Sequence, residues 1–253
     1  MSFDVTAGAY AAFMGRWSQP LALGFADRAG VRRGQRALDV GCGPGQLTEQ
    51  LVARLGAAAV AAIDPSASFV AATRERFPEA DVRSGSAEQL PYADDGFDLA
   101  LAQLVVQFMA DPVRGLAEMA RVTRPGGLVA ACVWDHGGDG RGPLSLFWRA
   151  VRDVDPGAGD ESGLAGSREG HLAELCRAAG LPDPESSTLT VRVGFASFDQ
   201  WWEPFTLGVG PAGTYVNGLD QAARSSLAER CAQLLPDSPF EVTASAWAVT
   251  ARV

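Results

Sequence analysis

Two aspartates and three glycines carry the most chemically informative spacing in this chain. Leu38-Asp39-Val40 runs into Gly41-Cys42-Gly43-Pro44-Gly45, and Asp64 follows about 20 residues past the glycines. Glycines without a Cβ let the backbone turn sharply and approach a ligand at van der Waals distance. A helix that starts behind them, at Gln46, offers unpaired N–H groups and the positive end of its dipole. Asp64 stands where an acid meets a ribose diol in dinucleotide-type folds. Together these residue types suit a small molecule that carries a nucleoside.

Three kinds of site share that outline. A P-loop needs Gly-x-x-x-x-Gly-Lys-[Ser/Thr], and no lysine occurs anywhere in the 253 residues. The same absence removes Schiff-base chemistry and any lysine general base. A nicotinamide or flavin site expects Gly-x-Gly-x-x-Gly, whereas here the third glycine comes one residue early. The shorter spacing suits S-adenosylmethionine, which has no pyrophosphate to cradle.

The elements that must hold these residues alternate in type. Apolar runs at 37–40, 59–63, 81–83, 97–103 and 128–134 read as strands. Between them Leu47, Leu51, Val52 and Leu55 form one helical stripe, and Phe69, Val70, Thr73 and Phe77 a second. Asp111-Pro112 opens a helix over Val113, Leu116, Met119 and Ala120, which Pro125-Gly126-Gly127 is read to end. Strand–helix units in succession imply an α/β, doubly wound, Rossmann-like parallel sheet with helices on both faces. Residues 1–35 read as an N-terminal helical cap broken in two by Pro20, residues 36–134 as the cofactor-binding core, and residues 135–253 as substrate-side insertions and the last strands. The whole is expected to be one domain.

Composition narrows the partners. The net charge of −9 and the absence of an arginine run argue against nucleic acid as substrate. No stretch is apolar enough for a membrane span, and no basic start followed by an apolar block suggests a secretory signal. Cys42, Cys132, Cys176 and Cys231 form no C-x-x-C pair, so buried free thiols in the cytoplasm are expected. Neither histidine stands at metal-ligand spacing from a cysteine, and no metal is expected.

The stretches LDVGCGPGQLTEQL, AAIDPS, GSAEQLPYADDGFDLALAQLVVQF and RVTRPGGLVAACVW follow one another over residues 36–134. In order and spacing this segment resembles class I methyltransferases of the methyltransferase-11, ubiquinone/menaquinone-biosynthesis-like family. The resemblance implies S-adenosyl-L-methionine as cofactor and a seven-stranded sheet with an antiparallel member near the end. It implies that Asp39, Cys42 and the backbone of Gly41 and Gly43 hold the methionine end, with Gly45 giving the backbone room. Asp64 would take the ribose hydroxyls, Pro65 would pack near the adenine, Ser86 and Ala87 would meet the adenine edge, and Gln103 would line the pocket. Many relatives carry aspartate where this chain has Ser86, which removes charge assistance from that contact. The N-terminal segment with Tyr10, Arg16 and Trp17 would cap the cofactor, Arg16 reaching its carboxylate.

The acceptor is not identified by these residues. Methyl transfer from a sulfonium starts from an activated donor, so positioning and exclusion of water supply much of the acceleration. A general base is needed only when the acceptor keeps its proton. His136, just past the fifth strand, is the one base candidate, against a reading as a surface-loop residue. Tyr10, Trp17, Gln107, Trp134 and Trp202 are read as substrate-side residues, against a helix-surface glutamine and, for Trp134 and Trp202, core packing. Two rival functions stay open: a NAD-dependent oxidoreductase, and a cofactor-binding module without turnover.

Overall fold

The computed structural model describes residue 8, residues 11–137 and residues 141–253. A widened helical turn, Ala11–Gly15, leads into α1 (Arg16–Arg28). Then come β1 (Ala37–Val40), α2 (Gln46–Leu55), β2 (Val60–Asp64), α3 (Ala67–Arg76) and β3 (Asp81–Ser84). β4 (Phe97–Gln103), α4 (Pro112–Val122) and β5 (Thr123–Trp134) follow, then α5 (Ser145–Val154) and α6 (His171–Ala178). The chain closes with β6 (Glu185–Phe195), α7 (Phe198–Trp202), α8 (Gly210–Gly218), α9 (Gln221–Leu234) and β7 (Phe240–Arg252).

The strands form one seven-stranded sheet in the order β3-β2-β1-β4-β5-β7-β6. The first five are parallel, and β7 runs antiparallel to both β5 and β6. β1 and β2 are buried at every residue, as inner strands covered on both faces must be. Chain order reverses between β1 and β4, so the crevice outside their carboxyl ends is the topological switch point. The register sets Val40 beside Ile63 and Asp39 beside Leu101, so the loops after β1, β2 and β4 open toward one place.

Local chemistry explains the elements next to that crevice. Gly45, at φ +91°, takes the left-handed turn that starts α2, and a Cβ there would meet Phe77, Thr73 and Arg76 at 3.1–3.3 Å. Asp111 caps α4 by accepting the Arg114 N–H at 3.0 Å, with Pro112 in the first helical position.

Several boundaries differ from expectation. Pro20 does not break the N-terminal helix: α1 is continuous through it. Pro20 lies exposed, while Trp17, Leu21 and Phe25 bury on the opposite face, and that packing holds the helix across the missing N–H. Pro125-Gly126-Gly127 does not end α4. The helix stops at Val122, where the Thr123 hydroxyl turns back to donate to the Met119 carbonyl at 2.8 Å, and the glycines lie inside β5. α6 starts only at His171, after a loop into which the Ser167 hydroxyl is turned. α8, rich in glycine, carries no apolar stripe that would have announced it. All four cysteines are free and buried. Among the described residues no helix is long and apolar enough to cross a membrane.

Candidate functional site

A cavity of about 510 Å³ lies at the switch point. Asp39, Gly41, Cys42, Gly43, Asp64, Pro65, Ser86, Ala87 and Gln103, drawn from the loops after β1 to β4, all line it. Gly45 stands behind it in the packing of α2 against α3.

The glycine loop is built from its own hydrogen bonds. The N–H groups of Gly41 and Cys42 both donate to the Ile63 carbonyl, at 2.8 and 3.0 Å. Gly43 donates to Asp64 Oδ2 at 2.9 Å, and Gly45 to the Cys42 carbonyl at 3.0 Å. The N–H groups of Gly41, Cys42, Gly43 and Gly45 are therefore all engaged within the protein. Gly41 is required sterically: at φ +71°, a Cβ would lie 2.4 Å from Val105 Cγ2.

Two carboxylates dominate the electrostatics. Asp39 Oδ2 accepts the Thr48 hydroxyl at 2.6 Å, while its Oδ1 is buried with no partner. Burial pushes this carboxyl up to about 7, with the nearby Asp64 charge adding to it and the Thr48 hydrogen bonds opposing it. Asp64 is also raised, chiefly by burial, against N–H bonds from Ser66 and Gly43. Each Asp64 oxygen takes one backbone N–H, Oδ1 from Ser66 at 2.8 Å, so the carboxylate is fixed in orientation before any ligand arrives. Burial raises the Cys42 thiol well above its ordinary value, and it stands there as an inert wall.

On the far side Gln103 Nε2 donates to the Ser18 carbonyl at 2.9 Å, tying the end of β4 to α1, and its Oε1 is buried without a partner. Asp39 Oδ1 and Gln103 Oε1 are thus two orphaned acceptors on residues of one cavity. Buried acceptors of that kind call for a donor or cation in the ligand. The ammonium and sulfonium of S-adenosylmethionine and its ribose diol fit this acceptor-rich lining; a pyrophosphate, which needs donors, does not.

Other expected residues lie elsewhere. Arg16 does not line the cavity: its guanidinium stacks on the Phe195 ring at 4.9 Å, and its Nε is buried without a partner. Trp17 packs on the same ring at 5.9 Å, inside the core. Trp202 stacks on Phe198 in core packing rather than on either cavity. Tyr10 lies outside the described residues. Gln107, Trp134 and His136 do come together, in a second, narrow cleft beside the first. Gln107 is buried rather than on a helix surface, and His136 is half-buried, its imidazole pushed down to about 4 by burial. Sequence reasoning missed Ser18, which lines the main cavity, and Glu161, which lines the cleft. Neither sits in a motif. A further hollow of about 490 Å³ opens at the opposite end of the sheet, where Arg28 pairs with Glu185 and Arg124 with Asp98.

Residues 38–131, which contribute most of the main cavity, match the family profile described as a methyltransferase domain. Over that segment the chain is similar to methyltransferase domains. A demethylmenaquinone methyltransferase of Renibacterium salmoninarum is 32% identical over 162 residues, 63% of this chain and 65% of that protein. The chain spans between 30% and 65% of the length of the curated relatives it matches. Among solved structures, the YcgJ protein of Bacillus subtilis aligns with a TM-score of 0.60 at 18% identity, covering 92% of this chain and 98% of that one. The [4+2]-cyclase SpnF aligns with a TM-score of 0.54 at 25% identity, covering 92% and 80%. Both share the overall fold of this chain.

Proposed function

We propose that this chain uses S-adenosylmethionine to methylate a small molecule. The observation that carries the reading is the acceptor-rich cavity: Asp39 with one free oxygen, Asp64 held by two N–H groups, and a glycine loop whose own donors are engaged. Asp39 and Gln103 would hold the cationic methionine end, and Asp64 the ribose hydroxyls. Ser86, Ala87 and Pro65 would face the adenine. Bound there, the cofactor supplies an activated methyl group. The protein's part is orientation and exclusion of water, which α1 serves by closing over the cavity at Ser18.

The relative named for demethylmenaquinone supports a small, largely apolar acceptor. A NAD-dependent oxidoreductase is disfavoured by the loop, whose N–H groups are not free for a pyrophosphate. SpnF, a [4+2]-cyclase, has the same fold, so the fold serves chemistry other than methyl transfer, and that supports a second reading in which the cavity binds the cofactor without methylating an acceptor.

Thermal unfolding with S-adenosylmethionine, S-adenosylhomocysteine or NAD separates these readings. A ligand at 100 times its Kd stabilises by about 2.7 kcal/mol. Stabilisation by the two adenosyl ligands, lost in Asp64→Ala, supports the cofactor; a shift with NAD alone sinks it. Transfer of a labelled methyl group to any acceptor then excludes a cavity without turnover.

A further inference from the structure

The narrow cleft holds about 40 Å³ and shares Leu104 and Phe108 with the cofactor cavity. Leu104 itself is held at φ +61°, a strained backbone for a leucine, at the boundary between the two. Phe13, Met14, Trp134 and Leu144 make the walls apolar. The polar groups arrive from three separate segments: Gln107 after β4, His136 after β5, and Glu161 from the loop after α5. Gln107 Oε1 and Trp134 Nε1 are both buried with no partner, an acceptor and a donor on residues of one cleft. Such a pair points to a ligand group that both donates and accepts, as a hydroxyl does.

Glu161 is only 5% exposed, and among the described residues no cation pairs with it. Its Oε2 accepts the Trp148 Nε1–H at 2.7 Å, and Arg152 on α5 is bound to the neighbouring Asp160 at 3.1 Å. We propose that Glu161 is the base that takes the proton from the methyl acceptor, and that the acceptor is a flat apolar molecule with a phenolic or enolic hydroxyl. This rests on the methyltransferase reading above and names the acceptor side of that site.

The chemistry follows from what faces the cleft. Burial holds Glu161 at about 7, with the Asp160 charge raising it and the Trp148 N–H lowering it. His136 is held at about 4 by burial, against the charges of Asp135 and Asp160, so it stays neutral and is the weaker base. A base near 7 can relieve a phenol, of pKa about 10, whereas an aliphatic hydroxyl is far less acidic. As the hydroxyl oxygen forms its bond to the methyl carbon, the bond from that carbon to sulfur breaks and its electron pair stays on sulfur. The hydroxyl proton passes to the Glu161 carboxylate. A sulfonium and a carboxylate thus become a neutral thioether and a carboxylic acid, and the acid later returns its proton to water. At about 40 Å³ the cleft admits only the hydroxyl-bearing edge of such a ring, the rest of which would lie toward the adjoining cofactor cavity.

The test compares the intact chain with Glu161→Gln on 2-naphthol and on 4-nitrophenol, the second already largely ionised at a mildly alkaline assay pH. Methyl transfer is followed with labelled S-adenosylmethionine, and S-adenosylhomocysteine affinity by calorimetry. Loss of about 100-fold in kcat on 2-naphthol, little loss on 4-nitrophenol and unchanged homocysteine-ligand affinity are expected. Equal loss on both phenols, or none on either, overturns the assignment of the base. Should Glu161→Gln fail to fold, Trp148→Phe removes the donor that lowers Glu161, and the rising limb of kcat against pH must move to higher pH; an unmoved limb overturns the proposal. Ligand binding without methylation of either phenol overturns this inference alone, whereas no ligand binding by the intact chain overturns the cofactor reading beneath it.

Discussion

The Gly43 N–H donates to Asp64 Oδ2 at 2.9 Å, so the loop after β1 and the acid that ends β2 hold each other in place. The residue that receives a ribose in the proposed function is therefore also a strut of the loop.

Replacing Asp64 tests both roles. Asp64→Ala removes an acceptor whose charge-assisted bonds contribute about 1.5–3 kcal/mol each, so S-adenosylhomocysteine should bind roughly 10- to 100-fold more weakly. Asp64→Asn keeps one oxygen and should fall between the two. Calorimetric titration of the three proteins measures this, and equal affinities would refute the ribose role.

Gly41→Ala should destabilise the fold itself. The added Cβ collides with Val105 and the residue must hold a left-handed φ of +71°. Overpacking and backbone strain together amount to about 2–5 kcal/mol. Adding Val105→Ala should recover the collision part and leave the strain. Urea midpoints of the single and double variants check the division.

The Asp39 carboxyl makes stability fall as pH rises. Its folded value of about 7 lies above the ordinary 3.8, so its favourable share is complete below about 4 and is lost through about 7. Glu161, also raised to about 7, acts in the same sense. Urea midpoints of the ligand-free protein should therefore decline across this window, and Asp39→Asn should flatten part of the decline. A cationic ligand beside Asp39 favours its ionised form, so binding near neutral pH should release protons. Calorimetry in buffers of different ionisation heat reads that release directly.

Gln103→Leu separates binding from folding. It removes the bond to the Ser18 carbonyl, worth about 1 kcal/mol, but also an acceptor buried without a partner. The ligand-free protein should lose little stability while S-adenosylhomocysteine affinity drops about 5- to 10-fold. A stability loss with unchanged affinity would assign Gln103 to the fold alone.

Local sequence made the cofactor side legible because each residue there sits at the end of a strand with strong apolar patterning. Asp39, Asp64 and Gln103 lie within or at the carboxyl ends of β1, β2 and β4, and the glycines between need only local geometry. The acceptor side was less legible. Glu161 lies in an irregular loop, and its burial depends on Trp148, thirteen positions away, through a contact no periodicity reports. Arg16 appeared free to reach a ligand, but Phe195, remote in sequence, occupies its guanidinium. The hydrogen bonding of the glycine loop was not legible either, since the carbonyl that satisfies two of its donors belongs to Ile63 on the next strand.

The placement of β7 between β5 and β6 governs the order in which the protein can be made. β6 pairs only with β7, which is translated after every other described element. α1, near the start of the chain, rests on β6 through Trp17 against Phe195 and Arg28 against Glu185. On the ribosome, β1 to β5 can assemble around the glycine loop with α1 already tied to β4 and α2, before its contacts to β6 exist. The cofactor cavity and its roof can therefore form before the roof gains its outer brace, which arrives only when β7 slots in beside β5 and carries β6 with it.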